Sequence, residues 1–147
     1  MFLLLITQVS AQTETTSPKF EIKVITSVES IVPNGLGRSR IISYEEDRNY
    51  KEFTSEQTED DNTRNKSKRG DIRVKDFEET KLLNFYNIGG IRFQNIAAND
   101  AVISSKLTAM LAEGWDLAFV SSAVESDAGK DDGKGIFITR YIFKRAL

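Results

Sequence analysis

Along the second half of the chain the spacing of apolar positions changes from helical to alternating, and the change falls at a glycine. Ile103, Leu107, Met110 and Leu111 recur at helical offsets, with Ser104, Ser105, Lys106, Thr108 and Glu113 on other faces, which predicts one amphipathic helix. Asn99 or Asp100 suits its N-terminal cap, because a short polar side chain there accepts a hydrogen bond from an orphan backbone N–H. Asn95 is the alternative, with Ile96, Ala97 and Ala98 as an added first turn. Gly114 suits the left-handed residue that stops a helix. Beyond it Trp115, Leu117 and Phe119 alternate with Asp116 and Ala118, which predicts a strand whose tryptophan packs between helix and sheet.

The same alternation occurs near the start. Phe20, Ile22, Val24, Thr26 and Val28 alternate with Glu21, Lys23, Ile25, Ser27 and Glu29, a half-buried strand. Pro33, Asn34 and Gly35 make a turn, and Arg38 to Tyr44 reads as the returning strand. Between Lys81 and Phe93 an apolar run is broken by Gly89 and Gly90, which predicts two short strands or a bulged hairpin. Ile136 to Arg145 is apolar on both faces, the pattern of a strand inside a sheet rather than at its edge. The predicted architecture is α+β: a small, mainly antiparallel sheet in βαββ order with one helix packed on one face. The last two strands form a hairpin, and the first strand pairs with one of them.

Composition adds a long insertion and removes much chemistry. From Glu45 to Thr80 acidic residues outnumber basic ones and apolar positions are scattered, which predicts a charged, solvated loop interrupting a single domain over 19–147. Met1 to Ile6 is apolar and is followed by Val9, Ser10 and Ala11, a small-residue cleavage pattern. Residues 1–11 therefore read as a secretory signal and 12–18 as a polar leader, which places the mature protein in the periplasm or outside the cell. No stretch has the roughly 20 apolar residues a membrane-spanning helix needs. The chain has no cysteine and no histidine, so disulfides, thiolate or imidazole zinc sites, cysteine nucleophiles and Ser-His-Asp triads all lack a required residue. Twenty basic and 22 acidic residues give a formal charge of −2, which offers no general field for nucleic acid.

Three segments together resemble a family of small bacterial domains of unknown function: Ile22 to Ile25, Ala112 to Leu117 with Phe119 and Val120, and Phe143 to Arg145. Members of that family carry an early Tyr-Lys-Val-Val type strand, a helix ending Ala-Glu-Gly-Trp-Glu-Leu-Val and a final strand ending Phe-Lys-Arg. Asp116 and the insertion at 45–80 depart from this pattern, while the Gly35 to Arg40 run, the Asn99 and Asp100 cap and the Val124 to Lys130 loop resemble a longer, exported branch of the family. The resemblance implies an α+β fold and carries over no activity.

Two loops hold candidate binding residues. Gly35 and Gly37 offer backbone amides beside Arg38 and Arg40, chemistry suited to a carboxylate or phosphate; the alternative is a pair of arginines guarding a strand edge. Glu125, Asp127, Asp131 and Asp132 cluster in a glycine-rich segment, but Gly129 and Asp132 occupy the third and sixth positions counted from Asp127, which fails the calcium-loop pattern. Gly129, Gly133, Lys134 and Gly135 fail the phosphate-loop pattern as well, so this segment reads as a long hairpin tip. No catalytic residue, metal site or cofactor is indicated. The residues point to a non-enzymatic binding module for a protein or a small anionic ligand. The alternative is a small carboxylate-dependent hydrolase acting on envelope or extracellular polymers, and a third reading is a module that self-assembles through an exposed sheet edge. The sequence sets no oligomeric state.

Overall fold

The computed structural model describes residues 19–30, 39–87, 89–125 and 135–147. Among these described residues seven strands and two α-helices follow one another in the order β1 (Phe20–Ser30), β2 (Arg40–Tyr44), α1 (Arg69–Ile72), β3 (Phe77–Lys81), β4 (Tyr86–Asn87), β5 (Gly90–Ile91), α2 (Phe93–Ala112), β6 (Asp116–Glu125) and β7 (Ile136–Ala146). A 3-10 turn at Tyr50–Phe53 precedes α1. Five strands form one sheet in the spatial order β3-β2-β1-β7-β6, and every pairing in it is antiparallel.

This corrects the expected βαββ order. The molecule is mostly an antiparallel sheet with one long helix, and two of its strands precede that helix on the far side of β1. The unexpected one is β3, which lies inside the charged stretch. Its sequence Phe-Glu-Glu-Thr-Lys has a single apolar residue, Phe77, and so carries no alternating hydrophobic signal. Backbone pairing to β2 holds it, and its carboxylates reach across to cations: Glu79 pairs with Arg40, and Glu78 meets Lys106 of α2 at 2.6 Å. Other expectations hold. The β1–β2 and β6–β7 pairs run antiparallel, β7 lies inside the sheet, and β4–β5 is a short hairpin.

The helix lies on the face that carries the odd-numbered residues of β1, β2 and β7. Ile25, Ile41, Leu82, Met110, Trp115 and Phe143 form the buried core, with Ile103, Leu107 and Tyr141 packed against it. Leu111, expected on the same stripe, is exposed. The helix end is closed as its glycine predicts. Gly114 has a φ of 84°, its N–H donates to the Leu111 carbonyl at 3.0 Å, and the Trp115 N–H donates to the Met110 carbonyl at 3.1 Å. This is the double closure of a Schellman motif, in which the residue after the glycine also packs on the helix's last inward turn. Trp115 and Met110 are that pair, both buried. Truncating a buried tryptophan of this kind costs about 3–5 kcal/mol.

The start of the helix differs from expectation. It begins at Phe93, before both Asn95 and Asn99. Asn99 does not cap; it is 1 % exposed and spends its amide on the segment after β3, while Asn95 donates to the Asn84 carbonyl at 2.7 Å.

A candidate interaction surface

Of the candidate binding residues, only Arg40 is fully described. It stands on β2, where Nε pairs with Glu79 and Nη1 donates to the Ser39 carbonyl at 2.7 Å. Its guanidinium is therefore engaged in tying β2 to β3, and β2 lies inside the sheet between β1 and β3 rather than at its edge, so Arg40 does not take the edge-guarding position. Arg38, Gly35 and Gly37 lie outside the described residues, as do Asp127, Asp131 and Asp132. Glu125 is the last residue of β6, and only its backbone is described.

The most unusual surface is the sheet face opposite α2. An antiparallel sheet with one face toward solvent ordinarily alternates apolar inward and polar outward. Here β1 and β7 break that rule, and the sequence reading of Ile136 to Arg145 as apolar on both faces is where the signal lies. Away from the helix, β1 presents Phe20, Ile22, Val24 and Val28, while β7 presents Ile136, Ile138 and Ile142, since Val24 pairs with Ile142 and Val28 with Ile138. Ile142 in turn stands opposite Phe119 of β6. Phe20, Ile22, Phe77 and Phe119 on this face are each roughly half exposed or more. The long helix α2 covers the other side.

Charge surrounds this apolar row. Thr26, Arg140 and Ser121 form the next rank across the strands, and Val28 faces Arg40. Lys144 stands opposite Asp116, with its ammonium 5.8 Å from the Phe20 ring centroid. Lys81 occupies the same face on β3, opposite Arg40. With Glu79 held by Arg40, the three cations Arg140, Lys144 and Lys81 outnumber the two acidic positions 116 and 125 on this face.

The register of β6 also departs from expectation. A bulge lies between Leu117 and Phe119. An inserted residue shifts every following side chain to the opposite face, so Leu117 stands opposite Phe143 on the helix side whereas Phe119 turns to the open side. The predicted shared face of Trp115, Leu117 and Phe119 does not form. Trp115 alone of the three is buried, at 5 % exposure.

A second feature is a charged depression of about 230 Å³ at the C-terminal end of α2, bordered by Glu21, Glu45, Asp47, Glu113, Tyr44 and Arg145 among others. Arg145 dominates it. Its guanidinium carbon lies 4.3 Å from the Trp115 ring centroid, Nη2 meets Glu21 at 2.8 Å and Nη1 donates to the Glu113 carbonyl at 3.3 Å. The cation therefore sits where the helix dipole is negative. Burial, and then the nearby carboxylates of Asp47 and Glu21, raise the pKa of the Tyr44 phenol, which donates to the Ile22 carbonyl at 3.2 Å. Among the described residues no group of three or more acidic side chains is placed to hold a metal ion.

Comparison with known protein families, curated proteins and solved structures finds no match. Among the described residues no helix is long and apolar enough to cross a membrane.

Proposed function

We propose that this chain is an exported, non-enzymatic interaction module that docks a protein through the open face of its sheet. The observation that carries this reading is the apolar row of half-buried Val24 and Ile142 and exposed Phe119 running across neighbouring strands on the face opposite α2. Contiguous exposed apolar surface rimmed by polar groups is the usual mark of a protein contact, because leaving it in water forfeits about 25 cal/mol per Å². The excess of Arg140, Lys144 and Lys81 over the acidic positions 116 and 125 favours a partner whose apolar contact is bordered by carboxylates. That form of the reading keeps the protein partner and replaces the anion site expected at Arg38 and Arg40 with a basic rim. The resemblance to small bacterial domains belongs to the same proposal, and it rests on the Ala112–Leu117 junction and the two strand motifs.

The test is capture from the native envelope. The mature protein, and its Ile22→Glu and Phe77→Glu variants, are immobilised at equal density after their fold has been checked by circular dichroism. Both positions are half exposed, so a carboxylate there leaves the core intact. Wild type retaining a defined protein that both variants lose supports the reading. Equal retention by all three, or retention of nothing, rejects it. Fractionation with N-terminal sequencing tests export separately.

The charged depression favours a second reading, a carboxylate-dependent hydrolase, because Glu45, Asp47 and Glu113 border one concavity. Glu21 is not available to such chemistry while Arg145 holds it. Turnover of an envelope polymer that disappears in Glu45→Gln or Asp47→Asn would establish this reading, and its absence in the wild-type protein would remove it.

A further inference from the structure

The two outer strands of the sheet are treated very differently. At one edge, β3 has five residues, and Glu78, Glu79 and Lys81 guard it. At the other edge, β6 has ten residues with no Lys, Arg, Pro or Gly among them. It exposes apolar side chains on both faces, with Phe119 62 % and Val124 56 % accessible. Among the described residues no strand pairs with its outer side, and natural sheets rarely leave an edge of that length and character open, since unpaired N–H and C=O groups recruit another strand.

We propose that the recruited strand is β6 of a second copy of this chain, joined antiparallel about a two-fold axis through Ser122 and perpendicular to the sheet. The argument is one of self-complementarity. Such an axis keeps each face of the sheet on its own side, so residues opposite one another must share a face. Following the β6–β7 register, Val120, Ser122 and Val124 lie on the helix side, with Phe119, Ser121 and Ala123 on the open side. The bulge at Leu117/Phe119 leaves Phe119–Glu125 as the regular stretch. Centring on Ser122 is the arrangement that pairs this whole stretch with itself; moving the centre to Ser121 or Ala123 loses a residue pair at each end.

In the Ser122 arrangement Val120 meets Val124 of the second copy twice, Ser122 meets Ser122, and Ser121 meets Ala123. Position 125 falls opposite Phe119, so no carboxylate opposes another, and Asp116 lies beyond the paired stretch. Branched apolar pairs directly opposite one another are the stabilising unit of a sheet. A peptide of unrelated sequence would have to reproduce this pattern, whereas β6 already contains it. The product is a continuous sheet of twice the width whose two open faces lie side by side on one surface. It does not depend on what those faces bind.

Two measurements test the seam. Sedimentation of the full mature chain across a hundredfold range of concentration is expected to show a dimer, and Val124→Lys, which sets ammonium groups into the seam, is expected to be monomeric with its fold retained. Because the natural chain has no cysteine, Ser122→Cys provides a geometric test. Directly opposed residues in an antiparallel pair have Cα atoms about 4.5–5.5 Å apart, within disulfide range, so this variant is expected to cross-link on air oxidation. Ala123→Cys, offset from its counterpart by two positions along the strands, is expected not to. A wild-type protein that stays monomeric throughout overturns the proposal. So does a dimer that survives Val124→Lys, or one in which Ser122→Cys fails to cross-link.

Discussion

Asn99 grips the backbone of Leu83 from both sides. Its Oδ1 accepts the Leu83 N–H at 2.8 Å and its Nδ2 donates to the Leu83 carbonyl at 2.8 Å, with Glu29 Oε1 as a further acceptor at 2.8 Å. One side chain of α2 therefore satisfies both polar groups of a residue that belongs to no strand. It does so next to Leu82, which is buried in the core. Ser39 extends the same network, with its Oγ donating to Asn84 Oδ1 at 2.8 Å and accepting the Ser30 N–H at 3.0 Å. The segment between β3 and β4 is thus tied to the helix at Leu83, and through Asn84 and Ser39 to the start of β2 and the end of β1.

Asn99→Ala is expected to destabilise the fold by about 1–3 kcal/mol, since it takes both partners from the part-buried N–H and C=O of Leu83, and a fully buried group left unpaired costs about 1–3 kcal/mol. Asn99→Asp should do nearly as much harm, because a carboxylate can accept from Leu83 but cannot donate to its carbonyl or to Glu29. Urea unfolding followed by tryptophan fluorescence measures both. A loss below about 0.5 kcal/mol, the scale of an ordinary surface substitution, would show that the network is not holding this segment.

Legibility followed the range of the interaction. Gly114 and Trp115 could be read because a helix stop is local backbone chemistry, carried by adjacent residues. Asn99 could not, because a polar residue near a helix start looks the same whether it caps that helix or reaches into the core. The strand β3 was hidden for a related reason: nothing in Phe-Glu-Glu-Thr-Lys indicates that Glu79 will find Arg40, 39 residues earlier. In β6 the alternation was visible, but the bulge that inverts it carries no glycine to mark it. The open apolar face was partly legible, since Ile136 to Phe143 announced a strand apolar on both sides. Only the topology places the second of those sides away from the helix.

Arg145 and Trp115 make a second prediction. The indole packs against the core on one side and meets the guanidinium on the other, while the pair of Arg145 with Glu21 is substantially exposed at both ends. Exposed ion pairs contribute little, about 0–1 kcal/mol, so most of the effect of Arg145 should come from covering the ring. Arg145→Met keeps a long apolar stem over the indole and is expected to cost under about 1 kcal/mol, whereas Arg145→Ala uncovers it and is expected to cost about 1–2 kcal/mol. The chain's one tryptophan reports directly. Its emission should shift to the red in Arg145→Ala and stay near wild type in Arg145→Met and in high salt. A salt-induced shift in the wild type would assign the contact to the ion pair instead.

Acidification supplies the third. Glu46 follows the end of β2 and binds three donors: the Arg48 guanidinium, the Asp76 N–H at 2.9 Å and the Lys75 N–H at 3.3 Å. These contacts hold its pKa below the ordinary 4.5, the hydrogen bond from Arg48 contributing most and that from the Asp76 backbone next. A carboxyl whose pKa is lowered on folding stabilises the folded form fully above its unfolded pKa, and the contribution disappears as pH falls through the folded value. The connection between Glu46 and the residues leading into β3 is therefore intact at neutral pH and weakens progressively once the pH drops below about 4.5. Amide exchange at Lys75 and Asp76 should accelerate over that window relative to the intrinsic rate, ahead of amides in β1 and β7. Glu46→Gln removes the titrating group and should make protection at these two amides independent of acid over the same range. Protection in the variant that still falls on acidification would trace the effect to another carboxylate.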